Sequence, residues 1–304
     1  MPTILPALRT ALAAAAILAA PAALAQSESD DARRYPTTEF ADGATSASVT
    51  SGGVTADISM VRRADVDPDF DVPLLKVTVG GTEVIEIPGI ASGFDFPAAE
   101  ASIAELDPSN AGPEVYFTSY SGGAHCCSTV IVADEVDGKW QALEVGEFDG
   151  DGNYLGDLDA DGVAEIATVD NAFLYQFDCY ACSAAPLVIY TVKDGKVVDS
   201  SADPRFLAAN RDWLKQIEDA VDPGERWTSP GYLAGWVAAK ARLGEGDAAL
   251  AELKSRWNYD MDEGEEVCVG GGEPEDCVKR NLQVLKFPER LELFLRETGY
   301  LPKQ

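Results

Sequence analysis

The acidic stretch DLDADGVAE, residues 157–165, has the residue types and spacing of a cation-binding loop. Carboxylates at loop positions 1, 3 and 5 can turn inward together, and a glycine at position 6 allows the backbone to reverse tightly. Calcium takes six to eight oxygen ligands, including backbone carbonyls. The sequence therefore predicts one calcium ion, bound by Asp157, Asp159, Asp161, Val163 and Glu165. The alternative is a metal-free turn, because Asp and Gly also favour turns by themselves.

An earlier segment repeats this pattern in a weaker form. ELDPSNAGPEVYFTSY, from Glu105, aligns with DLDADGVAEIATVD, from Asp157, if the first copy is allowed extra residues. Each copy consists of an acidic turn, then a glutamate (Glu114 or Glu165), then a β-rich run. Proline and serine interrupt the carboxylate pattern in the first copy. We therefore expect the first copy to be a turn without metal.

The second copy resembles the short D-x-D-x-D-G-x-x-(D/E) loops of FG-GAP and VCBS repeats. The resemblance rests on the motif at residues 157–165 and its weaker copy. Those repeats lead into propeller strands in extracellular proteins and commonly bind calcium, so the resemblance implies propeller-like β-modules and a calcium loop. Two clear copies are too few for a full propeller.

A second group of reactive residues lies in SYSGGAHCCSTVIV, residues 119–132. It holds the single histidine of the chain, His125, beside Cys126 and Cys127. With Cys179 and Cys182, these residues could form a thiol-redox centre or bind a transition metal. However, the C-x-x-C segment does not open a predicted helix that would lower a thiol pKa, and one histidine excludes sites of the two-histidine type. We interpret the segment as scaffold and keep the thiol-redox or transition-metal centre as the alternative.

The six cysteines are expected to form disulfides because the N-terminus predicts export. Residues 1–25 have one Arg, an Ala/Leu/Ile-rich run and a final Ala-Leu-Ala, which is the layout of a cleaved secretory signal. Cys268 and Cys277 bracket a flexible acidic loop and are the simplest pair to assign. Two pairings of the other four cysteines stay open: cross-links between the modules, or a local bridge within each of the two pairs.

Strand patterns fill the first part of the chain and helix patterns the second. Residues 41–200 contain short Val-, Ile-, Thr- and aromatic-rich runs, FLYQFD among them, broken by Gly, Asp and Pro, as in antiparallel strands. A helix is predicted to begin with Asp203 as N-cap and Pro204 in the first turn. We predict an α+β protein in which an antiparallel β-domain of propeller-like or sandwich-like modules precedes a small all-α region at 201–304. Residues 26–40 are expected to be a flexible lead-in.

Two amphipathic segments within residues 229–257 meet at Leu243-Gly244-Glu245. This hairpin resembles a single tetratricopeptide unit, whose turn also follows a Leu-Gly and precedes an Ala-Leu pair. One unit cannot build a solenoid core, so we expect the hairpin to pack on the β-domain. A last short helix is predicted for FPERLELFLRETGYLP, ending at Gly299.

The charge of the chain restricts its partners. It carries 52 Asp and Glu against 23 Lys and Arg, a net charge of −29, which repels nucleic acid and anionic lipid. No segment after the signal suits stable membrane insertion, and no G-x-S-x-G or H-E-x-x-H motif assigns catalytic residues. No cofactor-binding residue is assigned either. We expect a periplasmic or secreted, calcium-stabilised, non-enzymatic binding or structural protein of the bacterial envelope, with a protein or a glycan as its ligand.

Overall fold

The computed structural model describes residues 35–40, 44–92, 98–150, 152–269 and 276–303. The predicted signal peptide and most of the predicted lead-in lie outside the described residues. The strands within these ranges are β1 (Thr37–Glu39), β2 (Ser46–Ser51), β3 (Val54–Arg62), β4 (Asp71–Val79), β5 (Thr82–Pro88), β6 (Ala98–Ala104), β7 (Glu114–Tyr120), β8 (Ser128–Val136), β9 (Lys139–Phe148), β10 (Leu155–Gly156), β11 (Glu165–Val169), β12 (Leu187–Val192), β13 (Val197–Asp199), β14 (Glu265–Cys268) and β15 (Leu282–Leu285). The helices are α1 (Leu207–Asp219), α2 (Pro230–Arg242), α3 (Gly246–Arg256) and α4 (Phe287–Glu297).

The strands form antiparallel sheets whose order follows the chain closely. The outer sheet has the order β2-β3-β4-β5, and the central sheet has the order β1-β6-β7-β8-β9. The helix-facing sheet has the order β10-β11-β12-β13, and β14 pairs with β15 in a C-terminal hairpin. Most neighbouring strands are consecutive because short turns connect antiparallel strands directly. The described strands form no closed barrel.

The central sheet is buried on both faces, and β7 illustrates how. Val115 and Phe117 point into a cluster with Ile58 and Leu75 of the outer sheet. Tyr116 between them points into a second cluster that includes Ile166 of the helix-facing sheet. Side chains alternate across a strand, so one strand supplies both interfaces. The two sheet interfaces make this region sandwich-like.

The helices form a fourth layer on the far face of the helix-facing sheet. Leu187 and Ile189 of β12 belong to one hydrophobic cluster with Leu214, Leu233 and Leu291 from three helices. The indole Nε1 of Trp213 donates a hydrogen bond to the Ala185 carbonyl, at 2.9 Å. The layers therefore follow one another as outer sheet, central sheet, helix-facing sheet and helices.

The helix boundaries agree with the sequence patterns. The Asp203 side chain accepts a hydrogen bond from the Arg205 N–H and caps a 3₁₀ turn at Pro204–Phe206 that leads into α1. Leu243, Gly244 and Glu245 separate α2 from α3, as predicted. Gly299 follows α4 with a φ of 86°, in the left-handed region that favours glycine. The prediction of an α+β protein is confirmed.

Two local predictions differ from the structure. FLYQFD was predicted to be a strand, but its Phe173 ends a 3₁₀ turn and Tyr175 has a φ of 63°. This prediction is wrong because Phe173 inserts into the helical cluster, where it contacts Phe294 and Tyr300 edge to face. The C-terminal hairpin was not predicted. Its strands are four residues each, too short to display a clear alternation.

Candidate metal site

The acidic loop connects β10 to β11 and brings three carboxylates together. One oxygen from each of Asp157, Asp159 and Glu165 lies within 4.8 Å of the others. The backbone holds this arrangement, since the Asp161 N–H donates to both Asp157, at 3.1 Å, and Asp159, at 3.2 Å. The Gly162 N–H donates to the second oxygen of Asp157, at 3.1 Å. Gly162 has a φ of 93°, which explains the need for glycine at this turn.

The other two predicted ligands lie beside this group. Asp161 is exposed, and its Oδ1 accepts the Val163 N–H at 2.8 Å. Val163 is half-buried. Asp157, Asp159 and Glu165 are thus already clustered, whereas the Asp161 carboxylate is engaged with the loop backbone.

One arginine interacts with the loop from the helical layer. The Arg205 Nη1 lies 3.4 Å from Asp159 Oδ2 and 3.8 Å from Asp161 Oδ2. The Arg205 side chain is half exposed, so water screens its charge. Arg205 lies far from the loop in sequence, and no local sequence signal indicated that it would contact the loop.

Glu165 is the carboxylate of this loop whose surroundings raise its pKa. Its side chain is only 1% exposed, and its Oε2 accepts the Leu158 N–H at 2.8 Å. Burial, followed by the charges of Asp159, Asp161 and Asp157, raises the pKa of Glu165 to about 7. A cation among these carboxylates would offset both causes.

In the first copy of the repeat, the glutamate accepts a backbone hydrogen bond equivalent to that of Glu165, but a side-chain amide occupies the space between the carboxylates. Glu114 Oε2 accepts the Leu106 N–H, at 2.6 Å, as Glu165 does with Leu158. Its other oxygen accepts from the Asn110 Nδ2, at 2.8 Å, and the same amide donates to Asp134, at 2.7 Å. The amide of Asn110 thus lies between two carboxylates where a cation would otherwise be needed. That this copy is a turn without metal stays a prediction.

His125 lies in a surface cluster with aromatic residues. Its ring stacks on Tyr180 with centroids 4.1 Å apart, and Tyr175 packs against both rings. Asp149 has a carboxylate oxygen within 4.8 Å of both Cys126 and Cys127 sulfurs. Burial raises the pKa of Asp149, although a hydrogen bond from Tyr180 and the charge of His125 oppose this effect.

All six cysteines are paired locally. The disulfides join Cys126 to Cys127, Cys179 to Cys182 and Cys268 to Cys277, and no cysteine is free. The predicted pairing of Cys268 with Cys277 is confirmed. Of the two open pairings for the other four, the structure has the local bridges and not the cross-links. His125 and Tyr180 therefore bring two disulfide-bonded segments together through ring stacking.

Comparison with known proteins supports a family relationship. The profile of the sll0997 C-terminal domain matches residues 208–299, which contain most of the helical layer. The probable thylakoid lumen protein sll0997 of Synechocystis sp. (strain ATCC 27184 / PCC 6803 / Kazusa) is 32% identical over 257 residues, covering 83% of this chain and 75% of that protein. The chain belongs to the sll0997 family. Uncharacterized protein y4bJ of Sinorhizobium fredii (strain NBRC 101917 / NGR234) is 30% identical over 259 residues, covering 84% of this chain and 40% of y4bJ. No solved structure matches this chain.

Membership in the sll0997 family bears on location. The name of the Synechocystis relative places that protein in the thylakoid lumen, a compartment reached by export. The prediction that this family member is an exported protein is confirmed. None of the helices in the described part of the chain has the length and hydrophobicity needed to cross a bilayer.

Proposed function

We propose that this exported protein is a non-enzymatic binding or structural protein of the bacterial envelope, stabilised by one calcium ion in the loop before β11. The observation that carries the proposal is the convergence of Asp157, Asp159 and buried Glu165 within 4.8 Å. Carboxylate oxygens are the ligands that calcium prefers. The carbonyl of Val163 and a reoriented Asp161 would complete the ligand set.

The comparison of the two copies supports this assignment. In the first copy, the amide of Asn110 supplies hydrogen-bond donors to Glu114 and Asp134. In the second copy, the counter-charge comes from Arg205, which is half exposed and pairs with Asp159 and Asp161 but not with Glu165. The second loop therefore keeps a buried carboxylate beside other carboxylates, and a calcium ion would neutralise them.

Three further parts of the proposal follow from the sequence patterns. The loop is assigned to the FG-GAP and VCBS type, and the α2–α3 hairpin to the tetratricopeptide type. The chain is divided into a β-domain at 41–200 and a helical region at 201–304. A protein or a glycan is the proposed ligand of the whole molecule.

Calcium titration of metal-stripped protein tests the proposal. We expect a single site by calorimetry and a higher Tm in calcium than in chelator. A ligand that binds only the folded protein adds RT ln(1 + [L]/Kd), about 2.7 kcal/mol at a hundredfold excess over Kd. If calcium gives no heat and chelator leaves Tm unchanged, the loop is only a turn.

Two variants and a control assign the effect to this loop. Asp159→Asn should abolish calcium stabilisation, because it removes a charge from the clustered group. Arg205→Gln should tighten calcium binding, because the Arg205 guanidinium pairs with an oxygen that the ion would use. Asp69→Asn makes the same charge change at an exposed position outside the loop and should leave the calcium response unchanged. A weaker calcium response in Arg205→Gln would contradict the proposed competition.

A further inference from the structure

A cavity of about 420 Å³ lies where the helix-facing sheet, the end of β9 and the helical layer meet. This volume is within the range of pockets that hold small molecules, roughly 300 to 1,000 Å³. The lining is mostly polar, and the acidic loop at residues 157–165 does not contribute to it. The cavity is therefore a candidate site for a polar ligand, separate from the proposed calcium site.

The helix-facing sheet brings an acceptor and an aromatic ring to this cavity. Asp199 of β13 pairs directly with Tyr190 of β12 in the antiparallel register, so their side chains lie on the same face of the sheet. Asp199 is exposed, and both hydrogen bonds that it accepts from Ser201 use its Oδ1. Its Oδ2 is thus available to a ligand. Burial, followed by the charges of Asp199 and Asp170, raises the pKa of Tyr190, so the Tyr190 hydroxyl stays protonated.

The end of β9 and the end of α2 supply a second acceptor and a donor. Glu147 is exposed, and its carboxylate forms no hydrogen bond or ion pair with the described residues. Arg242 is half-buried, and its guanidinium lies over the Tyr300 ring, 4.5 Å from the centroid. The Arg242 Nη2 donates to the Tyr300 hydroxyl at 3.1 Å. These two contacts hold the guanidinium at the cavity, while its Nη1 has no hydrogen-bond partner among the described residues.

This combination of groups matches a ligand that both donates and accepts hydrogen bonds. The carboxylates of Glu147 and Asp199 only accept, and the guanidinium of Arg242 only donates. A hydroxyl group does both, so one polyhydroxy molecule can bond to all three side chains. A cation would be repelled by Arg242, and an anion by the carboxylates. The ring of Tyr190, which has an apolar body and a polar tip, suits the C–H face of a sugar ring.

We propose that this cavity binds a neutral sugar of one or two rings, which donates to Glu147 and Asp199, accepts from Arg242 and packs a ring face on Tyr190. The proposal rests on the proposed binding function and deepens it, because it selects a glycan as the ligand. It does not require calcium. These four side chains are exposed or half-buried, so a sugar entering from solvent can reach them. Hydrogen bonds to charged groups are stronger than those between neutral groups.

Calorimetry on the wild-type protein tests the ligand class. The probes are two neutral disaccharides, maltose and cellobiose, with putrescine as an organic cation and D-glucuronate as an anionic sugar. We expect at least one disaccharide to bind with one molecule per chain, and putrescine and D-glucuronate to bind roughly tenfold more weakly, since each meets a like charge in the cavity. Absence of binding by both disaccharides at millimolar concentration would overturn the proposal. Putrescine binding as tightly as the better disaccharide would overturn it as well.

Variants of Glu147 locate the site and separate hydrogen bonding from charge. Glu147→Leu should weaken disaccharide binding roughly tenfold, because it removes an acceptor. Glu147→Gln keeps an acceptor without the charge and should bind within about threefold of wild type. Glu144→Leu makes the same change as Glu147→Leu at another exposed position of β9 and should leave the affinity unchanged.

Each failure has a distinct reading. Unchanged affinity in folded Glu147→Leu would place the sugar outside this cavity, and equally weak binding by Glu147→Gln would contradict a neutral ligand. A thermal melt checks that each variant folds, and the four wild-type titrations remain decisive if one does not. Titrations in calcium and in chelator separate the two proposals: a Tm that rises with calcium, without sugar binding, would overturn the sugar site alone.

Discussion

Glu114 and Glu165 start equivalent strands and accept equivalent backbone hydrogen bonds, yet their surroundings differ. Asn110 closes the centre of the first copy, whereas the second has a cluster of carboxylates in which Asp159 pairs with Arg205. The sequence indicated which copy could hold a cation, since the carboxylate spacing is intact only in the second. It could not reveal Asn110 as the substitute donor, because Asp134, its second partner, comes from another strand.

The buried carboxyl group of Glu114, in the first copy of the repeat, should make the stability of the protein depend on pH. Burial raises the pKa of Glu114 to about 7, despite hydrogen bonds from Asp107, Leu106 and Asn110. Because the folded protein holds this proton more tightly than the unfolded chain, the associated stability is complete below about pH 4.5 and is lost as pH rises through 7. This change in the pKa of Glu114 corresponds to about 3 kcal/mol in the free energy of unfolding, at 1.36 kcal/mol per pKa unit.

Glu114→Gln imitates the protonated side chain and should remove this dependence. Urea unfolding of both proteins in chelator, from pH 4.5 to 8, measures it. We expect the variant to gain stability relative to wild type by about 3 kcal/mol across that range. Glu135→Gln, an exposed neighbour, should give a curve parallel to that of wild type. Parallel curves for Glu114→Gln would mean that Glu114 is ionised in the folded protein throughout.

Among the elements, helices were easier to predict than the segments between them. Asp203 and Gly299 marked boundaries through local chemistry that tertiary contacts did not change. FLYQFD failed because its composition favours a strand, while its burial depends on the aromatic rings of Phe294 and Tyr300. Local propensity is a weak guide where distant side chains decide the packing.

Helix α2 lies so close to the segment that precedes β12 that a glycine is required within the helix. A Cβ built on Gly235 would lie 2.3 Å from the backbone carbon and oxygen of Ala184. In an open helix, Gly→Ala stabilises by about 0.5–1 kcal/mol. Here we expect Gly235→Ala to destabilise by about 1–3 kcal/mol through overpacking.

Chemical denaturation checks the sign of this effect. Gly112→Ala is the control, because no atom lies within 4 Å of its added Cβ, and it should change stability by less than about 1 kcal/mol. Stabilisation of Gly235→Ala would show that α2 can move away from Ala184 at little cost. The close approach would then not be required for packing.

At the scale of the whole molecule, the sequence predicted the α+β class and the change from strands to helices along the chain, but neither the C-terminal hairpin nor the layering. Both faces of β7 carry apolar or aromatic residues, Val115 and Phe117 on one side and Tyr116 on the other. This pattern indicates burial on both faces. The sequence did not indicate which sheet covers which face of β7. That depends on contacts with residues as distant as Ile58 and Ile166, which no local pattern encodes.

The layers are held together without covalent links between them. The disulfides close loops with sequence separations of 1, 3 and 9 residues, and none of them joins two sheets. In the chain-entropy view, disulfide stabilisation grows with loop length, so these contribute less than long-range bridges would. The three hydrophobic clusters must therefore supply most of the cohesion between layers.

Reduction should accordingly leave the molecule folded. In reductant at 25 °C we expect near-UV circular dichroism to persist and cooperative melting to occur at a lower Tm. The double variant Cys268→Ser/Cys277→Ser should lower Tm without reductant, because it opens the longest of the three loops. Protein purified without reductant should contain no free thiol after denaturation, since every cysteine is paired. Two or more free thiols would instead favour the redox or transition-metal function of His125 and its neighbouring cysteines, and unfolding on reduction alone would contradict cohesion by the hydrophobic clusters.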